Sequence, residues 1–222
     1  MELNVLYSHI LGGESDLVYL AAWHMGYEGH KWYRHLEDMP KEPDLVFLAG
    51  GQDVSSERYG GNPDLCGVVR PSSLDNWDTM YIQIALENEW PIFGVCRGHQ
   101  TLAVELGGKL IEEIYPDHGH YEFLYGSTDH LVGGDWGIFP VNSAHHQAVD
   151  YNSISDKITV TCWSFDGQVE AYTYGNFAIG VQWHPEWMDD AGYSWQLIEA
   201  VLTRKADKIK SFNPFTGIEY LM

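Results

Sequence analysis

Basic side chains are scarce in this sequence of 222 residues. It has 12 lysines and arginines against 32 aspartates and glutamates, which gives a formal net charge of −20. Such a charge repels the phosphates of nucleic acids and the surfaces of anionic membranes, so we expect neither to be a partner. The acidic residues are scattered along the chain, as is typical of a solvated surface.

Long apolar runs and a secretory signal are also missing. No stretch reaches the roughly 18 consecutive apolar residues of a membrane-spanning helix. The first residues, Met1 to Asn4, do not have the basic and then apolar layout of a signal peptide, which predicts a cytoplasmic protein. No repeat or long linker divides the chain. Its 45% hydrophobic composition therefore predicts one domain over residues 1–222.

Cysteine is rare and irregularly spaced. Cys66, Cys96 and Cys162 are an odd number without a short regular spacing, which favours neither a disulfide framework nor a zinc site. A reducing environment fits this pattern, and it would keep a catalytic thiol usable. An isolated cysteine in an apolar chain is more often a core residue than a nucleophile, and we expect Cys66 and Cys162 to be core residues.

Metal ligands are the alternative interpretation of one short histidine-rich stretch. His118, His120 and Glu122 alternate along the sequence, and alternate residues on a strand share a face. No fourth ligand follows at a suitable spacing. We therefore expect no metal, and no other cofactor is implied.

Apolar runs and turn residues predict an α/β fold. Strand, helix and strand in succession imply parallel pairing. Ser72 and Asp75 resemble a capping box at the start of one helix. In the first half of the chain the pattern predicts strands at 3–7, 44–48 and 91–95, and helices at 15–25, 72–88 and 100–106.

The second half is richer in short strands. Its pattern predicts strands at 158–163, 168–172 and 177–181, partly antiparallel, and residues 211–222 give no signal in either direction. The expected architecture is a central, mostly parallel sheet flanked by helices, with a strand-rich C-terminal half. A last helix should begin at Asp189 or Asp190 and bury Trp195, Ile198, Val201 and Leu202.

The stretch from Gly94 to Gln100 has the form of a nucleophile elbow. Cys96 lies between Gly94 and Gly98, and small flanking residues let the chain turn sharply and expose a reactive atom. The predicted turn leads from a strand into a helix. Backbone N–H groups and the positive end of the helix dipole there favour a thiolate, so Cys96 is the candidate nucleophile.

A histidine and a carboxylate follow the last predicted strand. On an extended segment, a spacing of two places His184 and Glu186 on the same face. Glu186 can then accept a hydrogen bond from one ring nitrogen, while the other nitrogen faces the thiol. This assigns Cys96, His184 and Glu186 the three roles of a catalytic triad.

An acyl-transfer site also needs hydrogen-bond donors for the oxyanion. The N–H of Arg97, which follows the nucleophile, is one candidate. The diglycine Gly50-Gly51 lies at the end of a predicted strand and can supply another. Each feature is weak alone. In combination they are stronger, since all three lie at predicted strand ends of an α/β chain.

With these motifs the sequence resembles the class I glutamine amidotransferase family, and within it the gamma-glutamyl-gamma-aminobutyrate hydrolase group. The resemblance covers residues 45–187, and the stretch containing Asn142 and His145 is the mark of the group. It rests on Gly50 to Val54 with Tyr59 and Gly60, on Gly94 to Gln100, on Val141 to Ala148 and on Gly180 to Glu186.

The resemblance implies a flavodoxin-like architecture, and it implies a role for each of several site residues. Cys96, His184 and Glu186 would form the triad, with Gly51 and Arg97 as the oxyanion donors. A thiol, a base and N–H donors suffice for amide cleavage, so no cofactor is needed.

The resemblance also implies substrate contacts. Gln100 would contact the glutamyl head group, and His145 and His146 would line the pocket. The sequence departs from the pattern of the group at Ser56, where proline is expected, and at Trp77, where arginine is expected. The pocket for the distal part of the substrate is therefore not determined.

Three functions remain open at this point. The leading hypothesis is a hydrolase that cleaves a γ-glutamyl amide through a glutamyl thioester. The alternative is a glutaminase subunit that supplies ammonia to a separate synthetase chain. A non-catalytic binding protein is the third possibility, and the intact Cys96, His184 and Glu186 count against it.

Overall fold

The computed structural model describes residues 1–9, 12–66, 68, 70–114, 128–188 and 193–221. The α-helices are α1 (Glu14–His24), α2 (Ser73–Asn88), α3 (Arg97–Glu105) and α4 (Trp195–Leu202). The strands are β1 (Glu2–Tyr7), β2 (Gly29–Tyr33), β3 (Leu45–Leu48), β4 (Ile92–Val95), β5 (Leu110–Ile111), β6 (Thr128–Gly134), β7 (Gly137–Ser143), β8 (Ala148–Val149), β9 (Ile158–Ser164), β10 (Val169–Tyr174), β11 (Ala178–Val181), β12 (Ile209–Asn213) and β13 (Gly217–Tyr220).

Eleven of the strands in the described ranges form one mixed sheet. Its main order is β2-β1-β3-β4-β11-β10-β9-β6-β7, and β8 pairs with both β5 and β10. The neighbours from β2 to β11 pair in parallel, whereas those from β11 to β7 pair antiparallel. The predicted α/β architecture, parallel at the centre and strand-rich in the C-terminal half, is confirmed.

Apolar side chains cover both faces of the sheet. All four residues of β3 and of β4 are buried, as expected for central parallel strands covered on both sides. Alternation along β3 sends Leu45 and Phe47 to the face covered by α1 and α4. Val46 and Leu48 point to the face covered by α2 and α3.

The predicted capping box of α2 is present. The Asp75 backbone N–H donates to Ser72 Oγ at 3.1 Å, and the Ser72 backbone N–H donates to Asp75 Oδ2 at 2.7 Å. These bonds satisfy two N–H groups that have no partner within the helix. The capping box fixes the start of α2 at Ser73, and the helix ends at Asn88, as the sequence predicts.

Two predicted helix starts are wrong. Helix α3 begins at Arg97 rather than Gln100. Arg97 is buried because it forms ion pairs with Asp75 and Asp78, and a charged residue is not recognised as buried from the pattern of apolar residues. Helix α4 begins at Trp195, after a turn at Tyr193 and Ser194. Asp189 and Asp190 lie outside the described residues. In α4, Trp195, Ile198 and Val201 are buried as expected, and Leu202 is half-buried.

Several strands have no clear signal in the sequence. Edge strand β2 reads Gly-His-Lys-Trp-Tyr, and none of its residues is fully buried, so burial imposes no alternation on it. The tail, for which the sequence gives no signal, forms the antiparallel hairpin of β12 and β13, where Phe212 is buried. Among the helices in the described ranges, none has the length and apolarity needed to cross a bilayer.

Candidate active site

Four parallel strands end at the same edge of the sheet and build the site. Strand β1 leads into Ser8 and His9, β3 into the Gly50-Gly51 loop, β4 into Cys96, and β11 into the segment that carries His184. Ligands of open α/β sheets bind at the carboxyl ends of the strands, where side chains from distant parts of the chain meet.

Cys96 occupies a sharp turn between β4 and α3. Its backbone has φ 49° and ψ −106°, a left-handed conformation that is rare for residues other than glycine. The turn is tight: a Cβ on Gly98 would lie 2.1 Å from the Leu48 carbonyl oxygen, and one on Gly94 would lie 2.9 Å from the Gly98 carbonyl carbon. Both flanking glycines are therefore required for the elbow.

His184 and Glu186 are joined by a short hydrogen bond. Nδ1 of His184 lies 2.6 Å from Glu186 Oε1, and both side chains are buried. The sequence analysis assumed that this segment is extended. In the structure it is not, because Pro185–Trp187 forms a turn of 3-10 helix. The contact forms all the same, because Asn142 holds the backbone of His184 through two hydrogen bonds of 2.7 Å.

Trp187 and Gly50 also contact the imidazole of His184, one on a face of the ring and the other on an edge. The indole of Trp187 stacks on it at a centroid distance of 3.7 Å and an interplanar angle of 4°. A Cβ on Gly50 would lie 2.5 Å from Cε1 and 3.4 Å from each ring nitrogen, so Gly50 lies against the Cε1 edge. With Nδ1 bound to Glu186, Nε2 is the nitrogen left for the thiol.

The surroundings of His184 favour its protonated form. Burial by itself lowers the pKa of His184, but its charge interaction and hydrogen bond with Cys96, together with Glu186, outweigh burial and raise the pKa to about 10. A protonated imidazole beside the sulfur stabilises a thiolate. The geometry thus supports a nucleophile and a base that exchange one proton.

The two candidate oxyanion donors lie next to each other. Gly51 lines the pocket, and a Cβ on it would lie 3.0 Å from Cδ of Arg97. Gly98 N–H donates to the Ala49 carbonyl oxygen at 3.1 Å, which ties the elbow to the diglycine loop. The Arg97 side chain is buried beneath the elbow, where it binds Asp75 at 2.6 Å and also Asp78.

A pocket opens over Cys96. Gln100 lies in its wall, and its Nε2 donates to the Gln147 carbonyl oxygen at 2.8 Å and to Gln182 Oε1 at 3.0 Å. These bonds fix the orientation of the Gln100 amide. The lining residues are Gly51, Asp53, Cys96, Gln100, Ala144, His145, His146 and Gln147.

His145 and His146 both line this pocket but have different surroundings. His145 is buried, and its Nδ1–H donates to the Gln147 carbonyl oxygen at 2.9 Å. His146 is partly exposed, with Nε2 at 2.6 Å from Asp53 Oδ1 and Nδ1 at 3.4 Å from Glu113 Oε2. The hydrogen bond to Asp53 raises the pKa of His146 against the opposing effect of burial.

The other residues singled out in the sequence lie elsewhere. Cys66 and Cys162 are buried and are not among the pocket residues, and burial raises the pKa of the Cys162 thiol. His118, His120 and Glu122 lie outside the described residues. The part of the chain that the structure describes contains no cluster of three ligands able to hold a metal ion.

His9, Asp53 and Trp187 are among the residues at the site that were not assigned a role from the sequence. Asp53 stands within the diglycine motif, and Trp187 follows directly after Glu186. His9 had one usable signal: it lies just after a predicted parallel strand, at the edge of the sheet where Cys96 and His184 also lie.

Comparison with known proteins gives consistent matches. The family model described as Peptidase C26 matches residues 33–186. The gamma-glutamyl-gamma-aminobutyrate hydrolase PuuD of Escherichia coli is 32% identical over 178 residues, which are 68% of this chain and 67% of that protein. A Mycobacterium tuberculosis relative described as a glutamine amidotransferase is 30% identical over 179 residues, or 70% of this chain.

The match to the mycobacterial relative spans only 54% of the length of that protein. Among solved structures, a glutamine amidotransferase from Thermotoga maritima aligns with a TM-score of 0.59 at 18% identity. The alignment covers 93% of this chain and 92% of that one. At this identity the likeness supports the fold.

Proposed function

Because the chain belongs to the Peptidase C26 family, we propose that it hydrolyses γ-glutamyl amides with Cys96, His184 and Glu186 as its catalytic triad. The observation that carries the proposal is the buried constellation itself. Cys96 sits at a strained elbow, and His184 is bound to Glu186 at 2.6 Å with its pKa raised by the Cys96 sulfur.

The reaction has two half-reactions. The Cys96 sulfur attacks the γ-carbonyl carbon, and the electrons of the C=O bond move to the oxygen, which accepts hydrogen bonds from the N–H groups of Gly51 and Arg97. The tetrahedral intermediate then expels the amine, which takes a proton from His184, and a glutamyl thioester remains. In the second half-reaction His184 accepts a proton from water, the water attacks the thioester, and glutamate and the thiol are released.

The charges around the pocket support an amino-acid head group as ligand. Asp53 and His146 form a pair 2.6 Å apart in the pocket wall. An α-ammonium group would bind the Asp53 carboxylate, which His146 holds in place. Both N–H groups of the Gln100 amide are already donated, so its oxygen is the atom left to accept a hydrogen bond from the α-ammonium group.

A comparison of substrates tests the proposal. The purified wild type is assayed with glutamine and with several γ-glutamyl amines, alongside Cys96→Ala. We expect the wild type to release glutamate by itself and Cys96→Ala to lose at least about 10⁴-fold in kcat, because the acyl intermediate cannot form. Cys162→Ala is the matched control, and it should retain activity since Cys162 is not among the pocket residues. Equal turnover by wild type and Cys96→Ala would refute the proposal.

A glutaminase subunit is the second candidate, supported by the relative described as a glutamine amidotransferase. Such a subunit would use the same triad and pass ammonia to a synthetase chain. It should be nearly inactive on glutamine alone and be activated by that partner. Robust activity of the isolated chain on γ-glutamyl amines, without a synthetase in pull-downs, would exclude this candidate.

A further inference from the structure

His9 contacts the diglycine loop from the end of β1. Its Nε2 is hydrogen-bonded to the carbonyl oxygen of Gly50, and its Nδ1 lies 3.1 Å from Ser8 Oγ. A carbonyl oxygen only accepts hydrogen bonds, so Nε2 carries a proton and donates it to Gly50. Burial lowers the pKa of His9, and the hydrogen bond to Gly50 opposes this effect.

The bond to Gly50 also orients the next N–H group. Gly50 C=O and Gly51 N–H belong to the same peptide unit, which is planar and trans, so they point in opposite directions. Fixing the carbonyl toward His9 therefore directs the Gly51 N–H away from His9. A donor to the carbonyl oxygen also polarises the peptide unit and makes its N–H a stronger donor.

The same network reaches the second donor. Ser8 Oγ donates to Asp78, and Asp78 binds the guanidinium of Arg97, which also binds Asp75 at 2.6 Å. The Asp75, Asp78 and Arg97 side chains are buried. A continuous chain of contacts thus links the Gly50-Gly51 peptide to the residue whose N–H is the other oxyanion donor.

We propose that His9 is a positioning residue of this enzyme: its hydrogen bond to Gly50 holds the Gly51 N–H in the orientation that stabilises the oxyanion. The inference rests on the proposed function. The family model matches residues 33–186, so His9 lies in a segment outside that match. It acts on the attacked oxygen and leaves the nucleophile unchanged.

The test compares reactions of Cys96 that do and do not form an oxyanion. Acylation by p-nitrophenyl acetate passes through a tetrahedral oxyanion, whereas alkylation by iodoacetamide displaces iodide and forms none. The variants are His9→Leu, which removes the donor, and His9→Gln, whose amide N–H can reach a similar position. His30→Leu, on β2, is the matched histidine control.

We expect His9→Leu to slow acylation by p-nitrophenyl acetate about 10- to 100-fold, in the range of a weakened oxyanion donor, with iodoacetamide alkylation within about twofold of wild type. The kcat for the γ-glutamyl amide should fall by a similar factor at nearly constant KM. His9→Gln should recover most of the loss, and His30→Leu should behave as wild type.

Two results would overturn the inference. The first is an equal slowing of acylation and alkylation in His9→Leu, which would mean general damage to Cys96. The second is wild-type acylation in His9→Leu. A wild type that cleaves no γ-glutamyl amide would refute the proposed function instead, and the contrast between the ester and iodoacetamide would still test His9.

Discussion

Single contacts support the proposed chemistry, and the contact between Cys96 and His184 is the first of them. We expect the pKa of His184 to be lower in Cys96→Ala than the value of about 10 in the wild type, because the sulfur is the largest contribution that raises it. Glu186→Gln should lower it as well, but less. NMR titration of the imidazole resonances measures both shifts, and an unchanged titration in Cys96→Ala would contradict the pairing.

The same shift has a consequence for stability. The folded-state pKa of His184 lies above its ordinary value of 6.5, so protonation of His184 stabilises the fold fully below about pH 6.5. That contribution is lost as the pH rises through about 10. Urea unfolding of the wild type should show a loss between these limits that is smaller in Cys96→Ala. Equal pH dependence in the two proteins would contradict this sign.

Position 50 must be glycine, because any side chain there would collide with the imidazole of His184. A Cβ there would lie 2.5 Å from His184 Cε1, so Gly50→Ala should displace the ring from Cys96. A misplacement of about 1 Å is expected to lower kcat about 100-fold. Gly29→Ala, at a position with no atom within 4 Å of the new Cβ, is the control in the same assay. Comparable activity in both variants would disprove the contact.

At the scale of elements, the 3-10 turn after β11 presents Trp187 to the site. Its indole stacks on His184, and its Nε1–H donates to the Gly12 carbonyl oxygen at 3.3 Å, beside the start of α1. The turn therefore couples the histidine to the N-terminal segment. It does so with an indole that is only partly covered, at 38% exposure.

Trp187→Ala should lower kcat about 2- to 10-fold, since an aromatic stack contributes about 0.5–1.5 kcal/mol. Trp187→Phe should retain most of the activity because it keeps the stacked ring. A purely structural role would reduce both variants by the amount of folded protein lost. The pH profile of kcat separates a role in positioning His184 from a purely structural role. Loss of the stack should shift the part of the profile that is governed by the ionisation of His184, whereas loss of folded protein should not.

The capping box of α2 lends itself to a stability measurement. Ser72→Ala removes the oxygen that accepts the Asp75 N–H, and it should lower the free energy of unfolding by about 1 kcal/mol. Ser72→Thr keeps an accepting oxygen and should lose less. Urea denaturation measures both, and equal losses would show that the cap contributes nothing.

Much of this arrangement could be predicted from local sequence, and the limits have physical causes. The buried strands β3 and β4 are continuous apolar runs, and Cys96, His184 and Gly51 follow such runs directly, so their convergence could be inferred. The contact of His9 with Gly50 could not, because it joins side chain to backbone across 41 residues. Strand β2 was not predicted, because its partly exposed edge residues show no alternation of apolar and polar side chains.

At the scale of the molecule, the net charge of −20 acts on the whole fold. Mutual repulsion of acidic groups destabilises the compact state, and salt screens it as the Debye length falls from about 30 Å at 0.01 M to about 8 Å at 0.15 M. The melting temperature should therefore rise over this range of sodium chloride. A fall or no change would contradict a dominant role for surface repulsion.

The placement of β11 between β4 and β10 has a consequence for folding kinetics. Residues 92–95 pair with residues 178–181, so the strand that leads into Cys96 meets the strand that leads toward His184 only after a long loop has closed. Contacts of such sequence separation form slowly. The proposed nucleophile therefore meets its proposed base only late in folding.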